Sequence, residues 1–227
     1  FKSLRFNREG TIDALHVMSG ADLSKTIMET ARCGLEGLHT MAGIPASIGG
    51  AIRMNAGGAY GSISDTLSTL TCLTKAGELV TYRAADIEFG YRESKIPDPI
   101  IVSATFNLTP SDPIEVRNNI KEIFAWKKSR QPLSDTSAGC AFKNPLGEDG
   151  SRISAGQLID EAGLKGFSIG GATVSSQHAN FITTSANATS RDVLAVMNEI
   201  QQRICETTGI DLQREVVVWS RDPETCR

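Results

Sequence analysis

The 227-residue chain has no long apolar run. Its longest, such as Val216-Val217-Val218-Trp219, falls far short of the roughly 20 residues that a membrane-spanning helix needs. It has no surplus of basic residues. With 23 Lys and Arg against 26 Asp and Glu, the formal net charge is −3, which leaves no electrostatic footprint for nucleic acid. No C-x-x-C pair occurs among Cys33, Cys72, Cys140, Cys205 and Cys226, and the 3 histidines show no ligand spacing near them. That argues against a zinc site and a disulfide framework, and it points to the reducing cytoplasm. For most of these thiols packing is the ordinary fate. Neither G-x-G-x-x-G nor a Walker A loop is present, nor any internal repeat or low-complexity segment. No signal-peptide pattern is visible in a chain that starts at Phe1 rather than at methionine.

What remains is the composition of a globular α+β protein: 40% hydrophobic and 22% charged residues. Apolar residues at Leu23, Ile27 and Ala31, with Gly34 as a stop, predict an amphipathic helix over 22–33. Leu70 to Leu73, the turn Lys75-Ala76-Gly77-Glu78 and Leu79 to Tyr82 predict a hairpin. A strand is expected over 99–108. The composition breaks at "TPSDP", where Asp112 caps and Pro113 starts a helix to about Lys128 that carries Ile120, Ile123 and Phe124. Helices are expected over 155–162, stopped by Gly163, and over 191–207, stopped by Gly209, the second with Val193, Met197, Ile200 and Ile204 on one face. Strands are expected over 171–175, 179–183 and 212–219. The pattern reads as two α+β lobes joined near 110–113.

Four stretches carry chemistry. The segment 43–61, with Gly43, Gly49, Gly50, Gly57, Gly58 and Gly61, lets backbone N–H groups approach an anion or a flat ring closely. On composition alone a tightly packed turn region is the plainer reading. "FGYRES" (89–94) offers Arg92, whose planar fork of donors suits a carboxylate or phosphate; a surface ion pair is the plainer alternative. "SAGCAFKNP" (137–145) sets Cys140 among small residues and ahead of a run that cannot continue a buried strand, so a chemical and a packing role both stay open. In "LQREVVVW" (212–219), read as a strand, Glu215 shares a face with Gln213, Val217 and Trp219. It is then either a half-buried glutamate paired with an arginine or a carboxyl group held near its neutral form.

Together with "GIPASIGGAIRMNAGGAYG", "LIDEAGLKG" and "GGATVSSQHANFI", these motifs stand in the order seen in UDP-N-acetylenolpyruvoylglucosamine reductases. These are the FAD-dependent, NADPH-using UDP-N-acetylmuramate dehydrogenases of peptidoglycan precursor synthesis. The chain most resembles their shorter type, over nearly all of 13–219. The resemblance implies a two-lobed α+β fold: residues 1–109 as the later part of an FAD-binding domain of the vanillyl-alcohol-oxidase (PCMH) type, and residues 114–220 as the substrate-binding domain. Nothing here matches the family's earlier Gly-Ser-Asn loop, so half of the pyrophosphate cradle is expected to be missing. Gly43, Ile44, Pro45, Ser47, Gly49, Gly50, Asn55, Ala56 and Gly57 would line the flavin and its pyrophosphate. Arg92 falls on the family's active-site arginine, Glu215 on its active-site glutamate, and Cys140 where many members carry a proton-donating serine. A thiol near its unperturbed pKa of about 8.5 is mostly protonated at neutral pH and is a stronger acid than a hydroxyl. Tyr91, Lys143, Asn144 and Asn180 are further candidates for contact with the substrate, UDP-N-acetylglucosamine-enolpyruvate. The alternatives are a flavin-free protein that only binds the sugar nucleotide, and another FAD oxidoreductase of the same superfamily. No nucleic acid or membrane partner is expected.

Overall fold

The computed structural model describes residues 4–9 and 12–219. They form two compact units, Phe1–Trp126 and Lys127–Arg227. The expected lobe boundary at 110–113 coincides with the start of the helix inside which this division falls.

The first unit opens with strands β1 (Leu4–Glu9) and β2 (Ile12–Met18). Helix α1 (Leu23–Arg32) follows, capped by the Asp22 carboxylate, which accepts from Lys25 N at 2.8 Å. It ends at Gly34, whose φ of +67° suits glycine. Next come β3 (Leu35–Glu36), α2 (Ile48–Arg53), β4 (Gly57–Gly58) and β5 (Gly61–Ser62). Strands β6 (Leu67–Leu73) and β7 (Leu79–Arg83) make the expected hairpin, with Leu73 opposite Leu79. A small hairpin, β8 (Phe89–Gly90) and β9 (Glu93–Ser94), precedes the long strand β10 (Ile100–Pro110). The main sheet runs β1-β2-β10-β6-β7, with β3 added beside β10, and its pairs are antiparallel. Leu15, Val17, Leu70, Ala104 and Phe106 of the sheet share one core with Leu23 and Ile27 of α1 and Ile48 and Ile52 of α2. Helix α3 (Pro113–Arg130) then packs Ile120 against that core and buries Ile123. Phe124, grouped with them on periodicity, is exposed instead.

The second unit contains β11 (Ser137–Cys140), α4 (Ala155–Glu161), β12 (Ser168–Ile169), β13 (Ala172–Val174), β14 (Phe181–Thr184) and α5 (Ser190–Thr208). Its antiparallel sheet has the order β11-β14-β13-β12. Helix α5 carries a capping box between Thr189 and Asp192 and ends at Gly209 in the left-handed region. Met197, Ile200 and Ile204 of α5 are fully buried against Val174, Ala172 and Ile159.

The strand expected over 212–219 does not form. Only Arg214 bridges, to Phe142, while Gln201 Nε2 donates to Leu212 O at 2.8 Å. Arg214 Nη2 reaches Asn198 Oδ1 at 2.6 Å, so the segment is tied to α5 by polar side chains. The alternation of faces read from the sequence fails with it. Val217 is 66% and Trp219 94% exposed, so Glu215 has no shared apolar face there.

Candidate functional site

The glycine-rich segment is held by backbone pairing with residues 19–23. Leu23 N donates to Ala46 O, Ile48 N to Ala21 O and Gly49 N to Ser19 O, at 2.9, 2.9 and 2.8 Å. A Cβ at Gly49 would lie 2.8 Å from Ser19 Cβ, so this approach requires glycine. Ser47 Oγ accepts from Gly50 N and caps α2. Gly43 sits at φ +82°, and Ile44, Ala46 and Ala56 pack on the core below. A Cβ at Gly57 would meet Gly61 O at 2.7 Å. Pro45 lies exposed between Gly43 and Ser47. The N–H groups of Gly43, Ala46 and Ser47 find no acceptor among the described residues. Open backbone donors beside small side chains fit the anionic and flat parts of a dinucleotide such as FAD.

The Arg92 hairpin is tied to the same segment by side-chain hydrogen bonds. Tyr91 and Arg92 form the tip between β8 and β9, and Arg92 takes φ +56°, a left-handed conformation uncommon for a side-chain-bearing residue. Its guanidinium carbon lies 5.0 Å from the Tyr91 ring centroid. Asn55 Nδ2 donates to Gly90 O at 2.8 Å and Ser94 Oγ to Arg53 O at 2.7 Å, one tie for each arm. Arg53 in turn donates to Asp98 O at 2.7 Å and Pro99 O at 3.1 Å. The Asp98 carboxylate accepts from Tyr82 OH at 2.7 Å, a bond that raises the tyrosine pKa. Reading the sequence missed Arg53. Its one local signal is a lone guanidinium closing an otherwise apolar and glycine-rich turn of helix, "IGGAIR".

In the second unit Cys140 ends β11 opposite Phe181, after a bulge in which Gly139 takes φ +84°. The thiol is half-buried, unlike Cys72, whose burial pushes its pKa up. The residues behind it lie between two other stretches of chain. Ala141 N donates to Asn180 O at 2.7 Å, Glu215 N to Ala141 O at 2.8 Å and Lys143 N to Gln213 O at 2.8 Å. Cys140 and half-buried Glu215 are thereby brought to one backbone junction. A cavity of about 270 Å³ opens beside it, lined by Ser137, Ala138, Gly139, Ala141, Ile182 and Met197 among others.

Two expected substrate contacts have structural work here. Asn180 is 3% exposed; its Oδ1 accepts from Phe142 N at 2.9 Å and its Nδ2 donates to Phe142 O at 2.8 Å. Asn144 Oδ1 accepts from Ala155 N at the first turn of α4, at 3.0 Å. Lys143 is half-buried and Tyr91 lies beneath Arg92. Arg92 and the cofactor candidates belong to the first unit; Cys140, Glu215, Lys143, Asn144 and Asn180 belong to the second. Among the described residues no cluster of three or more His, Cys, Asp or Glu could hold a metal.

Residues 131–219 match the family model of the C-terminal domain of UDP-N-acetylenolpyruvoylglucosamine reductase, and residues 3–83 match an FAD binding domain. The UDP-N-acetylenolpyruvoylglucosamine reductase of Levilactobacillus brevis is 41% identical over 209 residues, covering 91% of this chain and 67% of that protein. That of Pediococcus pentosaceus is 40% identical, with 87% and 65% covered. The chain thus spans about two thirds of the length of these relatives. The crystal structure of UDP-N-acetylenolpyruvylglucosamine reductase from Thermus caldophilus superposes with a TM-score of 0.80 at 36% identity, over 90% of this chain and 72% of that one. With this identity over nine-tenths of its length, the chain belongs to the UDP-N-acetylenolpyruvoylglucosamine reductase family.

Proposed function

We propose that this chain provides the catalytic residues for reducing the enolpyruvyl ether of UDP-N-acetylglucosamine-enolpyruvate to UDP-N-acetylmuramate, with FAD and NADPH. Residues 1–109 serve the flavin and 114–220 the sugar nucleotide. The observation that carries this reading is the junction of Ala141 with Glu215 and Asn180, which holds a half-buried thiol and a half-buried carboxyl group on adjoining strands of chain. The flavin, when bound, supplies the hydride it receives from NADPH. Gly43, Ile44, Pro45, Ser47, Gly49, Gly50, Asn55, Ala56 and Gly57 would hold it.

The chain's own residues govern charge and proton. Hydride addition to the terminal carbon of the enolpyruvyl group sends charge toward the adjacent carbon and its carboxylate. Arg92, held out at the tip of its hairpin, binds that carboxylate with a planar fork as the charge develops. Glu215 is the second site residue of this junction, its backbone N–H donating to Ala141 O. The Cys140 thiol gives its proton to the carbon bearing the ether oxygen. Lys143 and Tyr91 contact the substrate; Asn144 and Asn180 act through the backbone they hold. This chemistry and the scattered cysteines, in no C-x-x-C pair, go with the cytoplasm. No described helix is long and apolar enough to cross a membrane.

Stopped-flow absorbance of the flavin separates the two half-reactions. Cys140→Ala should leave reduction by NADPH untouched and slow reoxidation by the enolpyruvyl substrate by about 10²–10⁴-fold, the usual range for general acid catalysis. Cys140→Ser should recover much of the rate. Normal reoxidation in the alanine variant would return Cys140 to a packing role.

A further inference from the structure

Asn55 occupies an unusual position. It is nine-tenths buried, at 9% exposure, and its backbone takes φ +40°, a region that asparagine tolerates better than other side-chain-bearing residues. Its amide orientation is determined by chemistry, since a carbonyl only accepts. The atom 2.8 Å from Gly90 O must therefore be Nδ2, and Oδ1 is the other arm. Oδ1 is buried and has no donor among the described residues. Buried polar atoms are rarely left so, and each such case calls for an explanation. On one side, then, Asn55 grips the carbonyl that immediately precedes the Tyr91-Arg92 turn. On the other it presents an acceptor within the segment whose Gly43, Ala46 and Ser47 N–H groups are also open.

We propose that Asn55 is a positioning residue: through Gly90 it sets the turn that carries Arg92, and through Oδ1 it makes that turn responsive to the ligand of the glycine-rich segment. The second half rests on the flavin reading above, the donor being a ring N–H or ribityl hydroxyl of the cofactor. Arg92 needs such help because its left-handed conformation is intrinsically disfavoured and its hairpin strands are each only a residue pair long. The Ser94–Arg53 bond steadies the far arm; the arm entering the turn depends on Asn55.

Asn55→Gly removes the side chain and suits the local φ. Asn55→Asp keeps the acceptor and loses the donor. In the full chain without ligand, amide hydrogen exchange in the peptide 88–96 should speed up about tenfold in both variants, the equivalent of one hydrogen bond. FAD should slow that exchange in the unaltered protein and fail to do so in Asn55→Gly, with FAD affinity, read by flavin fluorescence, weakened about tenfold. Turnover should drop in both variants with the KM for the enolpyruvyl substrate little changed, a split that general destabilisation does not produce. Unchanged exchange over 88–96 in both variants overturns the positioning role. If the unaltered protein takes up no FAD while exchange still accelerates in the variants, the flavin reading falls and the hold on Arg92's turn is upheld.

Discussion

The most exacting test of the Cys140 junction is Asn180→Ala. The Asn180 amide replaces a neighbouring strand for Phe142, accepting from its N–H at 2.9 Å and donating to its C=O at 2.8 Å. Phe142 is 1% exposed, so neither backbone group finds water when the amide is removed. A buried donor or acceptor left unpaired costs about 1–3 kcal/mol, and two of them place the loss at about 2–5 kcal/mol after some relaxation. Urea unfolding of the whole chain followed by far-UV circular dichroism would show the transition of the second unit moving to lower denaturant. Asn180→Asp sharpens the test. Its carboxylate still accepts from Phe142 N–H but faces Phe142 O, and burial raises its folded pKa above the unfolded value of about 3.9. The protonated acid can donate to that carbonyl. Stability relative to the unaltered protein is therefore recovered below the unfolded pKa and lost as pH rises through the raised folded value. Flavin reoxidation should slow in both variants, because Ala141 and with it Cys140 and Glu215 lose their fixed register. A loss below about 1 kcal/mol for Asn180→Ala, the size of an ordinary surface change, would refute the reasoning.

Gly49→Ala should destabilise the first unit by about 1–3 kcal/mol and weaken FAD binding, because its Cβ would lie 2.8 Å from Ser19 Cβ. Gly58→Ala, with nothing within 4 Å of the added atom, should leave thermal unfolding unchanged; equal effects from the two would argue against the close approach. Acid should also weaken the fold. Burial lowers the pKa of His39 and of His178 below the ordinary 6.5. Each therefore contributes stability that is present above 6.5 and lost as pH falls through its lower folded value. A pH series of urea unfolding should show this decline, and replacing His178 by glutamine should flatten part of it.

Much of this protein was decided within short windows of sequence. Asp22 caps α1 and Gly34 ends it; Thr189 and Asp192 box the start of α5 and Gly209 closes it; Gly77 turns β6 into β7. These outcomes rest on contacts a few residues apart, so the local pattern sufficed. The ordered motifs likewise carried the family resemblance and the positions of Arg92, Cys140 and Glu215. What the local pattern misread is 212–219, where alternating apolar residues suggested a strand. Tertiary structure instead anchors Leu212 and Arg214 to the side chains of α5 and leaves Val217 and Trp219 in solvent. The backbone partners of two asparagines also lay beyond the reach of the local pattern. Asn55 reaches Gly90 across 35 residues and Asn180 reaches Phe142 across 38, and an amide in a sequence does not reveal whether it will meet a substrate or a distant backbone. Only the packed chain supplies those backbone partners, because a buried backbone group takes whichever partner the fold brings within hydrogen-bonding distance.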